Sequence, residues 1–289
     1  MGASSHPRYC LLWQGGILGL LIAWVYAPIA LPLLRQYWQD PNYTYALFVP
    51  AFSLLLLWED RRRLAELPLR PAWSGLVMIL LAVFALMLGV ASSEFFLPRI
   101  SLLLLIVGLI VFLAGWDHLV AAAFPLAFLV LMLPSATISS QLTFPLQILS
   151  TKLATALLMG VGVPAVREGN IILLHAARLG VTEACSGIRS LFSLLTLAVI
   201  YGYLAESKIS FRVALALAAA PISVLANALR IAATGFMVQH WGVERAEGAV
   251  HLFSGWLVFL GSLAMIFAFH RLLRFFFATP VDRKQERCA

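Results

Sequence analysis

What most constrains this chain is a succession of apolar runs about as long as a bilayer is thick, separated by short loops that hold the charge. Roughly 20 apolar residues in a helix cross the ~30 Å hydrocarbon core. Leu11 to Leu34, Trp73 to Ala91, Leu97 to Gly115, Ile188 to Leu204, Phe211 to Ala233 and Leu252 to Phe269 match or approach that length. Hydrophobic residues fill 62% of the 289 positions and charged residues only 11%, against roughly 45–50% and about 25% in a soluble domain. Backbone in lipid must satisfy its own hydrogen bonds, so these runs fold as helices. The expectation is an all-α integral membrane protein, with residues 1–289 forming a single polytopic domain.

Two shorter runs, Ala46 to Trp58 and Leu119 to Leu133, read as further crossings and bring the expected total to about eight. Gln141 to Gly160 is apolar but interrupted by Pro145, Gln147, Ser150, Thr151 and Lys152. It suits a helix lying in the interface better than one crossing the core. Val166 to Glu183 opens with Arg167-Glu168-Gly169-Asn170, continues through Ile171-Ile172, and has turn residues over Ala177 to Gly180. This segment reads as a short extracytoplasmic hairpin or extended stretch that delivers the chain to Cys185.

Charge sets the orientation. Against this topology, 12 of the 20 lysines and arginines fall on the side that holds Arg61-Arg62-Arg63 and the basic C-terminus. The excess places both termini in the cytoplasm. The net charge of +7 is therefore accounted for by membrane orientation, and no nucleic-acid partner is expected. Cys10, Cys185 and Cys288 lie at the start, in the middle and at the extreme end, a spacing that gives neither a disulfide framework nor a zinc site. No glycine-rich phosphate loop is present either, so no metal or cofactor is expected.

The candidate chemistry gathers where polar residues enter the last helices. Cys185 precedes the run that starts at Ile188 and follows Glu183. A thiol at a helix start feels the positive end of the macrodipole, and Arg189, one turn on, would favour its thiolate further. The alternative is a cysteine that is merely a small buried apolar residue. Asn227 and Arg230 lie one turn apart on the next apolar run. An arginine within a membrane helix faces a cavity or a partner, unless it snorkels to the headgroups from near a helix end. His251 opens the last run. In the expected topology Cys185, Arg230 and His251 all lie at the outer face. A thiol nucleophile, a proton carrier and a guanidinium for an oxyanion are the parts of cysteine acyl transfer.

Thr182-Glu183-Ala184-Cys185-Ser186-Gly187, Asn227-Ala228-Leu229-Arg230-Ile231 and His251-Leu252-Phe253-Ser254-Gly255-Trp256, in this order and spacing, resemble the exosortases, to which the archaeosortases are related. Arg167-Glu168-Gly169-Asn170, Pro41-Asn42-Tyr43 and Phe48-Val49-Pro50 are also similar to family segments, with Thr44-Tyr45-Ala46 standing where the family has Ser-His-Gly. The resemblance implies a sorting transpeptidase of the bacterial inner membrane, with its active site on the extracytoplasmic side. Its partners would be secreted proteins that end in a short Pro-Glu-Pro-type motif, a membrane helix and a basic tail, an envelope acceptor for the acyl group, and membrane lipid. Cys185 would be the nucleophile, Arg230 would hold the oxyanion or thiolate, and His251 would act as general acid and base. Asn227 would orient Arg230, with Glu183 and Arg189 in support. Two alternatives stay open from the residues alone: a membrane cysteine protease that passes its acyl group to water, and a transporter or lipid-binding protein whose Arg230 and Asn227 line a polar path.

Overall fold

In the computed structural model the described residues are 6–40, 42–93, 96–133, 136–181, 187–246 and 249–277. Helix dominates, as the apolar runs require, and the chain divides into two compact units, Met1–Pro134 and Ser135–Ala289. Among the described residues, seven helices are long and apolar enough to cross a membrane. Large apolar side chains such as Leu20, Trp24, Leu217 and Phe253 face outward on them, which is the surface a lipid solvent asks for.

The first unit contains α1 (His6–Gln39), a 3-10 turn Thr44–Leu47, α2 (Phe48–Glu59), α3 (Arg61–Glu66), α4 (Ser74–Ala91), α5 (Phe96–Leu113), α6 (Trp116–Ala121), α7 (Ala123–Phe128) and a second 3-10 turn Leu129–Met132. Helices α4 and α5 pack as a close hairpin. A Cβ on Gly75 would run into the backbone of Phe112 and Gly108, the small-residue approach typical of helices in lipid. Three buried contacts show polar side chains of this unit finding partners inside it. Tyr26 hydrogen-bonds Ser101 at 3.0 Å, Ser53 donates to the Pro125 carbonyl at 3.0 Å, and Tyr37 donates to the Met132 carbonyl.

Two expected crossings are absent as long helices. Ala46 to Trp58 falls in a short apolar helix, and Leu119 to Leu133 is divided among α6, α7 and a 3-10 turn. Neither was 18 residues long in the sequence, and the second holds Pro125, which costs a helix one backbone hydrogen bond.

The second unit contains α8 (Ala136–Gly160), strands β1 (Ala165–Glu168), β2 (Ile171–Leu174) and β3 (Arg178–Gly180), and helices α9 (Ile188–Ala205), α10 (Ile209–Trp241), α11 (Val243–Ala246) and α12 (Ala249–Phe277). Helix α8 has the length and composition to cross a membrane. Of the residues that suggested an interfacial position, Gln147 is 7% exposed and Ser150 and Thr151 are fully buried within the unit, whereas Pro145 and Lys152 are exposed. Thr151 and Thr155 bond back to the carbonyls four residues earlier.

The segment before the cysteine is a three-stranded antiparallel sheet in the order β1-β2-β3. Its turns are tight two-residue loops, Gly169-Asn170 and His175-Ala176. Residues 178 to 180, expected to be part of a turn, are themselves a strand. Gly180 suggested a turn, yet its backbone lies outside the positive-φ region. One face of the sheet packs Ala165, Ile172 and Leu174 against Ala154 and Leu158 of α8 and Ile231, Ala232 and Val238 of α10.

Helix α10 is longer than the apolar run suggested. It continues past Ala233 to Trp241, because the sheet covers the turns that would otherwise leave the bundle. At the opposite end of this unit, α9, α10 and α12 are clamped together. Glu206, 9% exposed at its side chain, meets His270 Nε2 at 2.6 Å and Arg274 Nε at 3.4 Å. Tyr201 hydrogen-bonds His270 Nδ1 at 2.6 Å, and Arg212 donates to the carbonyls of Glu206 and Tyr203 at the end of α9.

Candidate active site

The height of each candidate residue in the second unit follows from a few contacts. Helices α9 and α10 run antiparallel: a Cβ on Gly202 would lie 3.4 Å from the Arg212 Cα, and one on Gly187 would lie 3.0 Å from the Asn227 side chain. Tyr201 also touches His270 of α12. Tyr201, Gly202, Arg212 and His270 therefore define one layer. At 1.5 Å of rise per residue, Arg230 lies about 27 Å above that layer along α10, and the backbone of His251 lies about 28 Å above it along α12. Arg230 and the His251 backbone thus share a height.

Gly187 is held from two directions. Its φ of +81° is one that L side chains rarely adopt, and its α-carbon sits directly against buried Asn227. Its carbonyl accepts the Ser190 hydroxyl at 2.8 Å and the Leu191 amide at 2.8 Å. The other end of the motif is anchored as well. Val181, 1% exposed, belongs to the core formed by the sheet and α10. Its amide donates to the Asn170 carbonyl at 2.9 Å, and the Asn170 Nδ2 donates back to its carbonyl at 3.1 Å. Residues 182–186, including Glu183 and Cys185, lie outside the described residues. The covalent chain nonetheless keeps the Cys185 Cα within about 7 Å of that of Gly187.

Asn227 is 2% exposed. Arg230 is half-buried, and its Nη2 is buried with no hydrogen-bond partner among the described residues. Leaving such a donor without an acceptor costs about 1–3 kcal/mol, and more when it is charged. Arg230 is also not near a helix end, because α10 runs eleven residues further to Trp241. Arg189 lies in the first turn of α9 with its side chain exposed, next to buried Ile188. The backbone of His251 is in the first turn of α12, and its side chain lies outside the described residues. No group of three or more His, Cys, Asp or Glu residues that could hold a metal ion occurs among the described residues.

Asn170, to which the sequence alone gives no site role, ties the β1-β2 turn to the residue just before the cysteine motif. Its signal was present in the Arg167-Glu168-Gly169-Asn170 stretch, which resembles the family yet has no obvious chemistry. Gly169, with φ +62°, makes the tight turn, and Asn170 makes the clamp. Ser150 on α8 was noted only as a polar interruption; its hydroxyl is buried without a hydrogen-bond partner among the described residues.

The family model for the transmembrane exosortase matches residues 37–268, which takes in all three motifs. No curated protein and no solved structure matches the chain.

Proposed function

The chain belongs to the transmembrane exosortase family, membrane protein-sorting transpeptidases in general, and from that premise we propose that it sorts secreted proteins through an acyl-enzyme on Cys185. The substrate is a protein whose C-terminus carries a short recognition motif, a membrane helix and a basic tail. The Cys185 thiolate attacks the scissile carbonyl, and the carbonyl electrons move onto oxygen. Arg230 stabilises that oxyanion, or the thiolate before it, with a directed guanidinium donor. His251 then protonates the leaving amine as the C–N bond breaks, leaving a thioester on Cys185. An acceptor nucleophile from the envelope attacks the thioester, His251 takes its proton, and the thiolate is restored. Asn227 supports this arrangement by packing beneath Gly187 one turn from Arg230. The charge bias of the loops supports an extracytoplasmic site in a bacterial inner membrane.

The observation that carries the reading is the Nη2 of Arg230, buried and without a hydrogen-bond partner among the described residues, beside the helix pair that fixes Gly187 two residues from the cysteine. A buried cationic donor without an acceptor is suited to negative charge that arises only during reaction. The test is co-expression of the full-length protein with a secreted reporter fused to a tripartite tail encoded in the same genome. Immunoblotting follows the reporter's size, and mass spectrometry reads its new carboxyl end. The reading expects cleavage that is lost in Cys185→Ala, a product bearing a new group on its carboxyl end, and labelling of Cys185 by an impermeant maleimide added to intact cells. Unchanged processing in Cys185→Ala would overturn it. A free carboxylate as the only product would replace transfer with hydrolysis.

A further inference from the structure

The three-stranded sheet ends in an open edge, and the direction of its hydrogen bonds shows what that edge offers. Opposed residues of an antiparallel pair alternate between those that exchange hydrogen bonds and those that do not. Between β2 and β3, Leu174 N–H donates to Ala177, and Val181 N–H donates to Asn170. The ladder pairs Ile172 with Leu179 midway between them. Ala177, Leu179 and Val181 thus turn their backbone groups toward β2. The N–H and C=O of Arg178 and Gly180 point the other way, and among the described residues β3 has no strand on that side. Both residues are exposed, and the space that a Cβ of Gly180 would enter is empty.

We infer that this edge binds the extended segment of the protein substrate next to its scissile bond, as a fourth strand beside β3. The inference rests on the sorting reading above and adds the means by which substrate is held. An open edge is a ready template for another strand, and strand addition is a common way to bind peptides of varied side chains. Arg178 and Gly180 can each exchange two main-chain bonds with such a segment. The chain then runs from Gly180 through Val181 to Cys185, a reach of at most about 17 Å when extended. The paired substrate residues therefore lie within about five residues of the bond attacked. On the exposed face, Arg178 and Leu173 form one row and Gly180 and Ile171 the next. The occupant that fits is an extended peptide with an acidic side chain opposite Arg178 and a larger side chain over Gly180.

The test uses the full-length protein and the tail-bearing reporter. In a background of Cys10→Ser, Cys185→Ala and Cys288→Ser, Arg178→Cys is paired with single cysteines scanned through the reporter's residues before the tail helix, and disulfide cross-links are read on gels. The expected result is cross-linking at alternate reporter positions, the period of a strand. Val166→Cys, two strands away at about 10 Å, should give none. Separately, Gly180→Pro in the wild-type background removes one outward donor without breaking the ladder to β2. It should lower processing roughly threefold to tenfold, the worth of one main-chain hydrogen bond, with unchanged accumulation and Cys185 labelling. Arg178→Glu should lower processing of a reporter with an acidic residue at the cross-linking position, and changing that residue to lysine should restore it.

If wild type processes the reporter while no cross-link forms and Gly180→Pro is normal, edge binding is overturned and the sorting reading stands. Cross-links without alternation overturn it too. If alternating cross-links form but wild type does not process the reporter, the edge is a peptide-binding site and the sorting reading falls. Neither cross-links nor processing overturns both.

Discussion

Gly187→Ala should separate a site held by close packing from one held only by chain connectivity. Two costs follow from the structure. An L residue at φ +81° costs about 1–2 kcal/mol. The new methyl would also lie 3.0 Å from Asn227, so a side chain that is 2% exposed must shift by a few tenths of an ångström within packed surroundings. Together these come to about 2–3 kcal/mol, equivalent to roughly 30- to 150-fold if expressed in the transition state. Gly162→Ala provides the comparison, since its φ is +82° but nothing lies within 4 Å of where its Cβ would go. Gly162→Ala carries the backbone cost alone, at a position away from the motif. The assay is reporter processing per amount of membrane-inserted enzyme. Gly187→Ala should fall far below Gly162→Ala, and in an Asn227→Ala background it should cost less than in wild type, because the crowded partner is gone. Equal processing by the two alanine variants would refute the claim that Gly187 and Asn227 set the position of the motif.

Two further outcomes follow. Arg230→Lys should insert and accumulate like wild type yet lose about 100- to 1,000-fold in processing, because an ammonium does not reproduce the directed donors of the guanidinium; near-normal processing would return Arg230 to a surface anchor. Glu206→Ala should lower stability by about 1–3 kcal/mol, because buried His270 and half-buried Arg274 lose the carboxylate they meet, read as a lower Tm of the purified protein in detergent, and an unchanged Tm would show that the Glu206, His270 and Arg274 cluster does not clamp the helices.

Much of the fold was legible because the bilayer imposes a length. Trp73 to Ala91, Leu97 to Gly115 and Ile188 to Leu204 agree with α4, α5 and α9 to within two residues at each end. The rule weakens where burial replaces lipid. Polar residues on α8 looked like the mark of an interface, yet Gln147, Ser150 and Thr151 face the interior of their own unit. Glu206 follows the apolar run Ile188 to Leu204 and carries no sequence signal of its own, yet its side chain is buried between helices, since its partners His270 and Arg274 are brought to it only by folding. The strand at 178–180 was missed for a related reason: three residues carry too little pattern, and pairing with β2 decides their state. The candidate site was legible through residue type, because an arginine and an asparagine one turn apart in an apolar helix need an explanation. Gly187 shows what residue type leaves out, since its contact with Asn227 links residues forty positions apart.

Interception of the thioester tests an acyl-enzyme on Cys185 most directly. Hydroxylamine attacks thioesters, so reporter processed in its presence should carry a hydroxamate at the new carboxyl end, detected by mass spectrometry. Wild type should give this product, Arg230→Lys much less of it, and Cys185→Ala none. A reporter cleaved by wild type with no trace of hydroxamate, or hydroxamate formed equally by Cys185→Ala, would contradict an acyl-enzyme at this residue.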